Sequence, residues 1–241
     1  MFDLKHFKNC LKDKSNFFFA GTDEVGRGPL AGPVVAACVS LHFKEYQEKE
    51  LRLLLKEWAI FGITDSKKLT AQKRQAILSD LPFEQNQMKA DQIYSHSYSK
   101  NMSLKVLIKE ISPQTIDEIN ILNASLKAMK EAVAGCCDFD GDGVVMIDGN
   151  SSFKIESSPV QIFPIIKGDT KSLLIGMASI IAKEYRDQLM ARYCDQFPGY
   201  NWKNNAGYGT AKHLEAISLL GTTEIHRKSF RGVKEVYEQG R

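Results

Sequence analysis

Residues 21–28, Gly-Thr-Asp-Glu-Val-Gly-Arg-Gly, set two acids side by side and then a basic residue between glycines, directly after the apolar run Phe17-Phe-Phe-Ala20. Adjacent side chains on a strand point to opposite faces, so Asp23 and Glu24 can share a site only where a strand ends. Two further acids occupy comparable positions: Asp148 closes the apolar run Val144-Val-Met-Ile, and Asp169 lies in Lys-Gly-Asp-Thr-Lys-Ser before a long helical pattern. Open α/β sheets bind ligands beyond the carboxyl ends of their strands, where acids from different strands can converge. Four carboxylates gathered there repel one another at neutral pH unless cations neutralise them. The ions such oxygen donors suit are hard and divalent, Mg²⁺ or Mn²⁺. Two ions ~3.5–4 Å apart can clamp the attacking and leaving oxygens of a phosphodiester. Each acid also fits a plainer role as a turn residue or helix cap, and position alone does not choose between them.

Gly26-Arg27-Gly28 suggests a backbone that a ligand approaches closely, since glycine presents no side-chain barrier. With Gly32 it imitates part of a dinucleotide-binding loop, but the spacing is wrong, Pro29 intervenes and a strand follows instead of a helix. Asp138, Asp140, Asp142 and Gly143 match the first half of a calcium loop. The twelfth position is Gly149 where that loop needs Glu, and the exit is a strand, so an acidic turn is expected instead. Lys67 and Lys68 in "TDSKKL" could meet a phosphate or be solvated. Tyr208, bracketed by glycines in "AGYGT", could stack on a sugar or base or pack on the core. The five histidines show no ligand spacing.

These groups need a scaffold to hold them. The chain has 241 residues, 43% hydrophobic and 25% charged, within the ordinary globular range. Its formal charge of +3 argues neither for nucleic acid nor for membrane, although the segment from Lys203 onward carries seven Lys/Arg against four Glu. Five cysteines without a CxxC pair fit neither a disulfide framework nor a zinc site and suggest reduced thiols in the cytoplasm. The N-terminal residues lack the pattern of a signal peptide. The uncharged stretch 28–43 is too short and too rich in Gly and Pro to span a bilayer.

"NFFFAGTD" reads as a buried strand and "GPVVAACVSL" as a second, paired to it as an antiparallel hairpin. A helix is expected from Glu45 to Trp58, a polar loop over "GITDSKKLT", a helix capped by Thr70, and a third strand within 87–98. Ser112 and Pro113 open one helix that Gly135 closes. "VVMID" and "VQIFPII" are strands, and a long helix runs from Ser172 to about Gln196 with Ile175, Ser179, Ala182, Arg186 and Leu189 on one stripe. Thr210 caps a last helix closed by Gly221. The interleaving gives an α/β core with a mixed sheet and a helical C-terminal part.

Seven blocks in fixed order resemble ribonuclease HII, the type 2 ribonuclease H of bacteria. They are "GTDEVGRGPLAGPVVAACV", "TDSKKL", "IDEINILNASLKAM", "MIDGN", "KGDTKSLLIGMASIIAKEYRD", "GYGTAKHLEAI" and "HRKSF". The resemblance covers about residues 18 to 234. It implies a ribonuclease H-like fold with a mixed five-stranded sheet flanked by helices. The catalytic domain would be residues 1–200, with 201–241 a helical substrate-binding segment packed on it as one unit. It implies Asp23, Glu24, Asp148 and Asp169 as catalytic ligands of two Mn²⁺ or Mg²⁺ ions. Gly26, Arg27 and Gly28 would contact a ribonucleotide 2′-hydroxyl, Tyr208 the sugar of the following deoxynucleotide, and Lys67 a phosphate. The implied substrates are RNA/DNA hybrids and duplex DNA containing ribonucleotides, cut 5′ of the ribonucleotide by a cytoplasmic enzyme, taken as a monomer. Cys38, Met177 and the neutral "NNAGYGT" depart from the family's usual pattern. Another nuclease of the same fold, or a binder without catalysis, remains the alternative.

Overall fold

A computed structural model describes residues Phe2, Asp3, Lys5, 15–83, 88–156 and 158–240 of the chain. Cys10 and the first residue of the 87–98 expectation lie outside the described residues. The chain opens with β1 (Ser15–Val25) and β2 (Val34–Glu45), followed by α1 (Glu48–Ile60), a 3₁₀ turn at Ser66–Lys68 and α2 (Ala71–Ser79). Next come β3 (Tyr94–Ser97), β4 (Met102–Ile111), α3 (Pro113–Ile119), α4 (Ile121–Cys136), β5 (Asp142–Asp148) and β6 (Gln161–Ile165). Five helices follow: α5 (Gly168–Lys171), α6 (Leu173–Gln196), α7 (Trp202–Asn205), α8 (Ala211–Leu220) and α9 (Lys234–Glu238).

The sheet is mixed, in the order β3-β4-β2-β1-β5-β6. β1 pairs antiparallel with β2, as the tight Gly/Pro connection predicts, and parallel with β5, which pairs parallel with β6. Among the described residues six strands replace the five expected. The extra one comes from the 94–111 hairpin, of which only the first arm was anticipated. β4 buries Met102, Leu104, Val106, Leu107, Ile108 and Ile111 but carries Lys105 and Lys109 on one face and Glu110, bonded to the Tyr185 hydroxyl, on the other, which masks its strand character. One helix was also expected where there are two. Asn120 takes φ 65°, which breaks the helix that Ser112 caps and starts α4, whose first turn Asn120 itself caps. Gly135 is not the terminator; α4 runs one residue further, to Cys136.

Period-two alternation splits the core between the two sheet faces. Phe17, Phe19, Leu41 and Leu104 face α1, α2 and α6, whereas Phe18, Ala20, Ala36 and Val145 face α4. α6 is the longest element, 24 residues or roughly 36 Å, and is nearly all buried along its first half. Ser172 caps it by accepting from Ile175 N (3.2 Å), and Asp3 reinforces the start by accepting from Ser172 Oγ (2.5 Å) and Leu173 N (2.9 Å). Gly21 brings β1 against this end of the helix; a β carbon there would lie 2.5 Å from Ile175 N. A third, smaller cluster joins Leu30 and Ala31 to Met190, Trp202, Ile217 and Val233, which packs the C-terminal segment onto the far half of α6. Among the described residues no helix is long and apolar enough to cross a membrane.

Candidate active site

β1 and β5 run side by side in parallel with Thr22 opposite Ile147, so Asp23 and Asp148 leave the sheet at neighbouring carboxyl ends. Thr22 is fully buried and donates to Ala37 O (2.8 Å), which fixes the last turn of pleat before the acids. Asp23 is buried at 7% exposure, whereas Glu24, Asp148 and Asp169 are half-buried. Asp148 turns one oxygen onto the start of α5, where Oδ1 accepts from Gly168 N (2.6 Å) and Asp169 N (3.3 Å). A β carbon at Gly168 would stand 3.2 Å from that oxygen and 2.6 Å from Ile175 Cδ1, so the approach requires glycine. In this way β5 and the turn after β6 place Asp148 and Asp169 together.

The electrostatics show that the four acids sense one another. Burial first, then Glu24 and Asp148, push the Asp23 carboxyl well above its ordinary value, against a hydrogen bond from Ser179. Burial lifts Glu24 to about 7, with Arg27 opposing and Asp148 adding to the shift. Asp169 is raised by burial, then by Asp148 and Asp65, with Lys67 acting in the opposite sense. The donor set is all oxygen, and an added positive charge would relieve all three shifts, which fits hard divalent cations. Among the described residues no three such side chains are already drawn together closely enough to hold an ion.

The loop carrying Lys67 is anchored from behind. Asp65 caps the 3₁₀ turn by accepting from Lys67 N (3.0 Å), and Ser66 is buried with its Oγ 2.9 Å from Ser179 Oγ. Arg74, at 6% exposure, donates to Leu69 O (3.0 Å), Glu184 (3.3 Å) and Asp187 (2.9 Å), which ties α2 and the loop to α6. Lys67 itself is exposed.

The Gly-Arg-Gly segment forms the neighbouring wall. Arg27 and Gly28 are exposed, and Arg27 reaches back to Glu24 (3.4 Å). Gly26 has φ 92°, and its missing β carbon would fall 2.3 Å from Arg186 Nε, so both its conformation and its space demand glycine. Tyr208, 44% exposed, brings its ring edge to within van der Waals distance of where a β carbon on Gly28 would sit. Leu30 N→Gly207 O (2.7 Å), Gly32 N→Ile225 O (2.8 Å) and Arg227 N→Leu30 O (2.8 Å) stitch these distant segments together. Thus Tyr208 stands half-exposed beside Gly28 and not in the core, although 180 residues separate the two in sequence. The acidic turn at 138–142 stands apart at the start of β5; Asp138 Oδ1 accepts from Asp140 N (3.0 Å), an ordinary turn contact.

Residues that motif spacing passed over also contribute. Ser179 and Arg186 were placed only on the helical stripe of α6, although polar side chains within an apolar stripe signal a specific partner. Asp65 and Arg227 had no distinguishing signal beyond their blocks.

A mixed sheet with acids at the carboxyl ends of its central strands is the arrangement of the ribonuclease H-like fold. Solved structures agree. Ribonuclease H2 from Pyrococcus horikoshii OT3 superposes with TM-score 0.62 at 20% identity, covering 92% of this chain and 98% of that one. RNase HII in the PCNA complex from Archaeoglobus fulgidus gives 0.58 at 21%, covering 89% and 95%. Bst-RNase HIII, solved in complex with Mn²⁺, gives 0.53 at 17%, covering 94% and 71%. The sequence model described as Ribonuclease HII matches residues 20–233. Ribonucleases HII of Bacillus cereus and Bacillus thuringiensis are each 37% identical over 238 residues, 98% of this chain and 78% of theirs. The chain belongs to the ribonuclease HII family, and is therefore a metal-dependent endoribonuclease that acts on RNA/DNA hybrids.

Proposed function

We propose that the chain hydrolyses the phosphodiester on the 5′ side of a ribonucleotide, in RNA/DNA hybrids and in duplex DNA carrying single ribonucleotides, leaving 3′-hydroxyl and 5′-phosphate ends. The observation that carries this reading is the meeting of Asp23 and Asp148 at adjacent parallel strand ends, with Asp169 on Asp148's own hydrogen-bonded turn and Glu24 beside them. These four acids are the catalytic ligands of two divalent ions, Mn²⁺ or Mg²⁺. Such ions, when bound, supply an activated water and charge stabilisation at the leaving oxygen. Of the protein's own groups, Ser179 orients Asp23, the backbone at Gly168 and Asp169 orients Asp148, and Lys67 stands beside Asp169 to meet a substrate phosphate.

Specificity would reside at Gly26, Arg27 and Gly28, where buried Gly26 sets the turn and exposed Arg27 and Gly28 read the 2′-hydroxyl, the one group that separates RNA from DNA at a given position. Tyr208, held against Gly28, stacks on the sugar of the next, deoxy, nucleotide. Residues 201–241 then serve as the substrate-binding segment, packed on the catalytic part through the cluster around Trp202. We place the enzyme in the cytoplasm as a monomer, where its four described free cysteines stay reduced.

The test is cleavage of three end-labelled duplexes with Mg²⁺, Mn²⁺ or chelator: all DNA, DNA with one ribonucleotide, and an all-RNA strand on DNA. The expected result is a metal-dependent cut 5′ of the lone ribonucleotide, cleavage of the hybrid, and an intact all-DNA duplex. Cleavage of the all-DNA strand would instead indicate another nuclease of this fold, and no cleavage of any duplex by folded, metal-supplied protein a binder.

A further inference from the structure

Two of the largest fully buried side chains are arginines, Arg186 at 1% exposure and Arg227 at 0%, and neither has an ion-pair partner among the described residues. A buried, unpaired guanidinium carries a large desolvation cost, so its retention calls for a reason. Among the described residues their hydrogen bonds go to backbone carbonyls of irregular segments around the site. Arg227 donates Nη2 to Gly26 O (2.5 Å), Nη1 to Arg27 O (2.9 Å) and Nε to Gly32 O (3.0 Å), and its plane lies against Phe230 at 5.1 Å from the ring centre. Arg186 donates to Ala31 O (3.0 Å), Pro33 O (3.1 Å) and Ala206 O (2.9 Å). The division of labour is clean: among the described residues only Arg227 holds the carbonyls of Gly26 and Arg27.

Peptide geometry turns that anchoring into a consequence for recognition. Every peptide bond described is trans. In a trans peptide the N–H of the next residue points opposite to the carbonyl. With the Gly26 and Arg27 carbonyls drawn inward onto one rigid fork, the N–H groups of Arg27 and Gly28 point away from Arg227. Among the described residues neither N–H has a backbone partner, and both residues are exposed. Two successive N–H donors aimed the same way make a fixed receptor for one oxygen. The fork geometry is what Lys cannot supply, since an ammonium is a point donor without a planar pair of N–H groups.

We propose that Arg227 is a specificity-determining positioning residue: by clamping the Gly26 and Arg27 carbonyls it aims the Arg27 and Gly28 amides at the ribose oxygen that distinguishes a ribonucleotide. This rests on the ribose-reading role given to Gly26–Gly28 above. Arg186, equally buried and packed against Gly26 but bound to other carbonyls, separates loss of the carbonyl clamp from loss of packing beside Gly26.

The test compares affinity for two duplexes in chelator, one all DNA and one with a single ribonucleotide, for wild type, Arg227→Lys and Arg186→Lys. The ratio of the two affinities is internally corrected, because partial unfolding scales both equally. Arg227→Lys is expected to reduce the wild-type ratio by roughly tenfold, and Arg186→Lys to leave most of it. A folded Arg227→Lys protein with the wild-type ratio, or an equal loss in both variants, overturns the proposal. A wild type with no preference for the ribonucleotide would instead strike down the ribose-reading assignment itself. A measurement on unsubstituted protein keeps the test available if the variants do not fold. The Arg27 and Gly28 amide resonances should shift on titration with the ribonucleotide duplex and much less with the all-DNA duplex. Equal shifts with both would refute the aim assigned to these two amides.

Discussion

Replacing Glu24 with Gln should abolish cleavage and at the same time stabilise the metal-free protein. Burial is the main cause of the rise of Glu24 from 4.5 to about 7, with Arg27 opposing it and Asp148 adding to it. The side chain is only 10% exposed, so solvent screens little of this. A carboxyl raised in the folded state binds its proton more tightly than in the unfolded chain. Its burden on stability is therefore absent below the unfolded value, grows as pH rises from 4.5 toward 7, and levels off above. At ~1.36 kcal/mol per unit the burden amounts to about 3 kcal/mol at pH 8. The value of about 7 already includes the opposing attraction of Arg27, so a neutral amide escapes the whole burden. The gain of ~3 kcal/mol would raise the midpoint by ~6–12 °C for a chain of this size. The assay is thermal unfolding followed by circular dichroism at pH 8 and pH 4, in chelator and again with millimolar Mn²⁺. The gain should vanish at pH 4 and narrow with Mn²⁺, which stabilises the wild-type carboxylates preferentially. A variant no more stable than wild type in chelator at pH 8, or equally advantaged at pH 4, would refute the reasoning.

Acid should loosen the C-terminal segment, because His226 is fully buried and is lowered to about 3 by burial first and by His213 second. A histidine kept neutral in the folded state contributes stability above its unfolded value of 6.5 that is lost as pH falls, ~2 kcal/mol by pH 5. Unfolding midpoints at pH 7.5 and pH 5 should differ accordingly, and His226→Asn should flatten that dependence; an unchanged slope would count against it. Gly21→Ala drives a β carbon to 2.5 Å from the backbone of Leu174 and Ile175, so a urea midpoint should report a loss of ~2 kcal/mol or more. A wild-type midpoint would mean that β1 and α6 can part freely. Tyr208→Ala, at a 44% exposed position, should leave the melting temperature within ~1–2 °C yet weaken duplex binding by ~10-fold, measured by fluorescence anisotropy. Unaltered affinity would remove Tyr208 from the interface.

The sequence alone determined the elements whose signals are local. The caps at Thr70, Ser112 and Thr210 each accept the predicted backbone N–H, because capping involves residues only three apart. The hairpin of β1 and β2 was readable from its short connection, and the four acids were legible as candidates from their place near strand ends and in the family's blocks. Less was legible where neighbours override local preference. The charged residues of β4 hid a strand that exists because β2 and β3 flank it, and Asn120 split a helix whose periodicity reads straight through. Tertiary structure alone decided which side of the site each group serves. That β5 lies parallel to β1 puts Asp148 beside Asp23, 125 residues apart in number, and the return of the 205–227 segment sets Tyr208 on Gly28 and Arg227 beneath Gly26. No pattern in a linear chain encodes such meetings. They arise because burying both sheet faces and satisfying the carbonyls of an irregular loop are constraints on the whole fold, not on any one stretch of it.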